Sequence, residues 1–149
     1  MRSFVLLLFA LAGGTLLTAH AHAACLEPLE VGEWANVRPD TRALVSIELR
    51  FVCQDRILNG APYPPGPAWY VHAVGKCEPV DCDWHEVGGQ RLATAHIFAT
   101  YEQQAARRYV YLRMSQARPD LLWAWIYTDF KDPRRTNYGV YAWFRRVIH

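Results

Sequence analysis

The stretch Tyr109–Val147, YVYLRMSQARPDLLWAWIYTDFKDPRRTNYGVYAWFRRV, holds three runs of aromatic and β-branched residues: Tyr109–Met114, Leu121–Tyr127 and Tyr138–Val147. Arg118-Pro119-Asp120 and Lys131–Asn137 separate them with turn-forming residues, so the pattern predicts three consecutive antiparallel strands. In the middle run Trp123, Trp125 and Tyr127 alternate with Leu122, Ala124 and Ile126, which makes both faces apolar. Tyr109 and Tyr111 share a face on the run before, as do Tyr141 and Trp143 on the run after. One face must line an interior. The other is an aromatic ladder, which either stabilises the sheet through cross-strand pairs or offers a binding surface.

Working outward, Ala43–Val52 alternates, with Leu44, Ser46, Glu48 and Arg50 expected opposite Val45, Ile47, Leu49 and Phe51. Trp69–Val74 is rich in β-formers, and Thr94, Ile97, Phe98 and Thr100 favour strand over helix for Leu92–Tyr101. Val31–Val37 completes the set. The proline- and glycine-dense segment Asn59–Pro67 reads as a long loop, because proline lacks a ladder donor. The expected fold is all-β, an antiparallel up-and-down barrel of about seven to eight strands, since closure removes the exposed edges. A β-sandwich is the alternative. No repeat or linker divides residues 24–149, which are expected to form a single domain of ordinary size.

At the N-terminus, Arg2, the apolar run Phe4–Ala12 and the small residues Ala21 and Ala23 match a cleavable export signal over residues 1–23. Gly13-Gly14 breaks the run short of a spanning helix. The mature protein is therefore expected in the periplasm or outside the cell, with no membrane insertion after cleavage. Losing Arg2 takes the 16 basic side chains to 15, against 14 acidic ones. That balance offers no footprint for nucleic acid, and the pairs Arg107-Arg108, Arg134-Arg135 and Arg145-Arg146 read as solvated surface charge.

All four cysteines lie beyond the signal, as expected of a disulfide framework in an oxidising compartment. The short proline-bearing loop between them pairs Cys77 with Cys82, and Cys25 then pairs with Cys53 by default. On the chain-entropy model the two bridges contribute roughly 2 and 3.5 kcal/mol. His72, Cys77, Cys82 and His85, with Asp81 and Asp83 nearby, form the one cluster with metal-ligating chemistry. Oxidised cysteines have no thiolates to offer, so neither a metal nor a cofactor is expected. Asp83, His85 and Glu86 have the residue types of an acid–base group, but no nucleophile or phosphate loop accompanies them.

Two local patterns carry resemblances. Gly32-Glu33-Trp34 with Asn36 on the first strand, and an arginine on the last, resembles the calycin superfamily of lipocalins, avidins and fatty-acid-binding proteins. The resemblance implies that Trp34 closes one end of a barrel behind Gly32, with an arginine packed across it, Arg145 being favoured over Arg146. Second, Gly75-Lys76-Cys77-Glu78-Pro79-Val80-Asp81-Cys82-Asp83-Trp84 resembles a GKCxPxDCDW signature of small secreted bacterial domains without established function. Asp129-Phe130-Lys131-Asp132, Tyr138 and Phe144-Arg145 are similar to the end of that pattern. His85 stands where it implies glycine.

The functional expectation is a binding domain rather than an enzyme. It holds a small amphiphilic molecule, with Tyr109, Tyr111, Trp123, Trp125, Tyr127, Tyr141 and Trp143 as candidate contacts. The alternative is a protein- or polysaccharide-interaction module whose barrel is filled by its own side chains. A metal or hydrolytic site in the Cys77–Glu86 loop is the third reading.

Overall fold

The computed structural model describes residues 25–148; the expected signal lies outside them. Ten strands occur among these residues, and no helix. They are β1 (Gly32–Asn36), β2 (Leu44–Phe51), β3 (Arg56–Leu58), β4 (Ala61–Tyr63), β5 (Trp69–Gly75), β6 (Cys82–Arg91), β7 (Ile97–Glu102), β8 (Ala106–Met114), β9 (Leu121–Phe130) and β10 (Tyr138–Arg146). Eight of them close an antiparallel barrel in the order β1-β10-β9-β8-β7-β6-β5-β2, while β3 and β4 form a separate hairpin. Every barrel neighbour is a chain neighbour except β2–β5, which spans the hairpin, and the closing pair β1–β10. The result is an up-and-down barrel rather than a sandwich.

Side-chain size sorts the two faces. Along β9, Leu122, Ala124, Ile126 and Thr128 are buried inside, and Trp123, Trp125 and Tyr127 stand half-buried outside. An eight-stranded barrel has an interior only just wide enough for side chains, so small and branched residues go in and most large rings go out. The interior is a continuous core of Ile47, Leu49, Val71, Ile97, Val110, Leu112, Leu122 and Phe144, each 0–1% exposed. Burying each of these stabilises the fold by roughly 1.5–3 kcal/mol.

Four local departures from the sequence reading have identifiable causes. A register shift between Leu44 and Ser46 turns Leu44 into the core with Ile47 and Leu49, so the simple alternation expected for β2 holds only after the bulge. Strand β6 lies where the sequence shows no strand pattern: six of its ten residues are exposed, and its period is interrupted where Trp84 and His85 together oppose Ala73. His85 takes φ 64° at this bulge. Left-handed backbone favours glycine, and the bulge imposes it here on a histidine. Finally, Asn59-Gly60, at φ 52° and 81°, turns the expected loop into the short exposed hairpin β3–β4. The strand expected from Leu92 begins only at Ile97, because a turn occupies Leu92–His96.

Both expected disulfides are present, Cys25–Cys53 and Cys77–Cys82. One end of the barrel is sealed by Trp34, which is fully buried. Its indole donates to the Glu30 carbonyl at 3.0 Å. The guanidinium over the ring, 4.3 Å from its centroid, belongs to Arg146 and not to the expected Arg145. The register decides this: Trp34 pairs with Arg146, and alternation from the buried Phe144 sends Arg146 inward and Arg145 outward to solvent. Arg146 also donates to the Val31 carbonyl at 2.7 Å and to that of Leu29. Gly32 sits at φ 128°, and a Cβ there would lie 2.9 Å from Arg146 Nη1, so position 32 has two reasons to be glycine.

Replacing Trp34 by alanine should lower stability by about 3–5 kcal/mol in urea melts, the range for large buried aromatics. A loss below about 0.5 kcal/mol would mean that the indole is not part of the core.

Candidate functional site

The end opposite Trp34 is open. Between the strand ends and the β1–β2 connection lies a cup of about 760 Å³. Its floor and walls are apolar: Leu44, Trp84, Ile126, Val140 and Ala142. Asn36 shapes the rim, donating through its amide to the Leu44 carbonyl at 2.7 Å and accepting from the Arg38 backbone at 2.8 Å. The Cys77–Cys82 bridge holds the β5–β6 connection beside it.

Among the polar residues that line the cup, Arg108 and Thr128 stand on the barrel strands themselves, opposite each other on β8 and β9. Thr128 is 2% exposed, sits in the inward row of β9, and its hydroxyl has no hydrogen-bond partner among the described residues. Arg108 is its cross-strand partner on β8. The Arg108 guanidinium is half-buried, stacks 4.8 Å from the centroid of Trp84, and forms no ion pair with any described residue. Desolvation is the leading influence on this guanidinium and pulls its pKa below the ordinary arginine value. Trp84 meets Tyr101 edge to face at 5.4 Å and lies across Gly75, where a Cβ would come within 2.4 Å of the indole nitrogen. Tyr101 donates to the Val71 carbonyl at 2.7 Å, and burial raises its phenol pKa. The wall on this side is thus fixed by packing.

Sequence reasoning missed Arg108 and Thr128 because both lie just past the aromatic runs. The signal was available. Counting back by two from Leu112 and Val110 reaches Arg108, and counting forward from Ile126 reaches Thr128, so Arg107-Arg108 divides between solvent and interior instead of being surface charge.

The seven aromatic candidates stand on the outside of the barrel, not around an internal ligand. Their rings form a ladder: Tyr111 and Trp125 are 5.2 Å apart, Trp123 and Tyr141 5.8 Å, Tyr109 and Tyr127 6.2 Å. Most are half-buried by one another; Tyr141 at 72% and Trp143 at 42% are the exposed members, and both also reach the rim of the cup. A shallower trough of about 570 Å³ beside Pro67 and Gly88 opens flatly to solvent.

The metal and acid–base alternatives fare differently. Cys77 and Cys82 are joined, so their sulfurs are not available as thiolates alongside His72 and His85. The only cluster of potential metal ligands among the described residues, Cys25, Cys53 and Asp55, contains the other disulfide. His72 bonds Asp83 at 2.7 Å and approaches Glu48 at 3.6 Å. Asp83 also accepts from the His85 backbone at 2.7 Å, and Glu86 is held by Arg50 in two bonds of 2.6 and 3.1 Å. Asp83, His85 and Glu86 thus lie on the outer face of the barrel, with both carboxylates engaged by partners.

The hydrogen bond to Asp83, followed in size by opposing desolvation, leaves the His72 pKa raised above 6.5. The backbone bond from His85 and the bond to His72 lower that of Asp83 below 3.8. The sign follows for each group. The His72 contribution to stability is complete below its unfolded value and is lost as pH rises through the raised folded value; that of Asp83 is present above its unfolded value and is lost as pH falls through the lowered one. Imidazole shifts followed by NMR should titrate above 6.5 for His72 and move down in Asp83→Asn. A titration unaltered by that substitution would contradict the pairing.

Compared with known proteins, the chain matches no family model, no curated protein and no solved structure.

Proposed function

We propose that the protein is an exported binding domain that holds one small amphiphilic molecule in the open end of its barrel. The observation that carries this reading is the asymmetry of the ends: Trp34 and Arg146 plug one, and an open cup with an apolar floor and a polar rim occupies the other. About 760 Å³ falls within the size range of sites for small organic ligands. An apolar floor beneath a polar, mostly cationic rim suits a guest with one polar end. The Gly32-x-Trp34 and arginine pattern, now on a closed barrel, supports a calycin-like relationship. Two disulfides suit an oxidising compartment, which supports export.

The exposed rings of Tyr141 and Trp143 favour a second reading, in which the outer ladder meets a protein or polysaccharide.

A neutral apolar fluorophore, phenylnaphthylamine, separates the two. It should brighten on binding with one site per chain. Ala142→Trp, which fills the cup, should abolish binding, while Tyr111→Ser, on the ladder and away from the cup, should leave it unchanged. Binding that survives Ala142→Trp and disappears in Tyr111→Ser would move the site to the ladder.

A further inference from the structure

We infer that the molecule held in the cup carries an oxyanion at its polar end, seated on Arg108 and Thr128. The inference rests on the cup being a binding site and adds the chemical class of its occupant.

Charge balance around the cup gives the first reason. Four cationic side chains line it, Arg38, Arg42, Lys76 and Arg108, against a single carboxylate, Asp40. Asp40 is taken by Arg38 at 3.4 Å, and Asp81 neutralises Lys76 at 3.0 Å. The acids at the neighbouring strand ends are engaged too: Glu102 with Arg107, and Asp132 with Arg134. Arg42 and Arg108 remain without an ion-pair partner among the described residues. Arg42 is exposed and solvated; Arg108 is half-buried. A partly desolvated cation without a counter-charge is unfavourable, and an anionic ligand removes the penalty.

Geometry gives the second. Stacking on Trp84 fixes the guanidinium plane and leaves its N–H edge free, the edge that grips two oxygens of a carboxylate, sulfate or phosphate. The Thr128 hydroxyl sits directly across the strand pair from Arg108. The residue is 2% exposed, and its hydroxyl, without a hydrogen-bond partner among the described residues, borders the cup. Tyr138, the next residue in this cross-strand row, also lines the cup. Apolar Val140, Ala142 and Ile126 continue from there toward the floor, where an uncharged chain or ring system would lie.

The test compares phenylnaphthylamine with anilinonaphthalene sulfonate, which shares its skeleton and adds one oxyanion. Fluorescence titration of the wild-type protein should give at least about tenfold tighter binding of the sulfonate, the lower end of what a charge-assisted hydrogen bond supplies. Arg108→Gln should erase that preference, bringing the ratio of the two affinities to about one. Thr128→Val, nearly isosteric, should reduce the preference about threefold, and it decides the matter if Arg108→Gln does not fold. Equal affinities for the two probes, or a preference that survives both substitutions, would overturn the oxyanion while leaving the cup as a site. Failure of both probes to bind would remove the cup reading, and the inference with it.

Discussion

The contact between Arg146 and Trp34 is the constraint on which the rest of the barrel depends. A sheet closes only if its first and last strands meet in a fixed register, and here the last residue of β10 is stacked on the core residue of β1. The same guanidinium donates to two carbonyls of the segment before β1, so the chain entering the barrel is drawn across its end. Arg91 reaches the same segment through Glu30 at 2.9 Å while stacking on Trp69. The Cys25–Cys53 bridge ties the segment to the end of β2. Stacking lets each guanidinium satisfy carbonyl or carboxylate oxygens without leaving an aromatic plate, so the charge is accommodated beside the core.

That seal determines what the other end can be. Trp34 and Arg146 fill one end, and at the opposite mouth the inward residues Ala142 and Thr128 line the cup beside Leu44, Trp84 and Ile126. Trp123, Trp125 and Tyr127 do not fit the inward row of β9, so they pair with Tyr109, Tyr111 and Tyr141 on the neighbouring strands outside. A ladder formed in this way stabilises the sheet, and its exposed margin is confined to β10.

Much of the architecture was legible in the sequence because it rests on short-range patterns. Alternation identified most of the barrel strands, turn residues separated them, and Gly32-x-Trp34 marked the sealed end. Orientation was less legible. Both faces of β9 are apolar, so hydrophobicity could not tell inside from outside; size could, since only the face with Ala124 and Thr128 fits an eight-stranded interior. Strand β6 was hidden by its own bulge, where His85 breaks the period of two and the inward positions include Cys82 and Gly89. The choice of Arg146 over Arg145 depends on the register of β10 against β1, which a single strand does not reveal. Arg108 was obscured by Arg107 beside it, since a pair of arginines looks like surface until alternation is followed to the strand's end.

The central claim is that the open end of this barrel is the binding site and the aromatic outer face is not. Amide and indole NMR spectra recorded while dodecanoate is added test it most directly. The account predicts saturable shifts at the Trp84 indole and at the backbone of Thr128, Val140 and Ala142, with the Trp34 indole unmoved. Shifts confined to Tyr111, Trp123, Trp125 and Tyr127, with Trp84 and Thr128 silent, would contradict it.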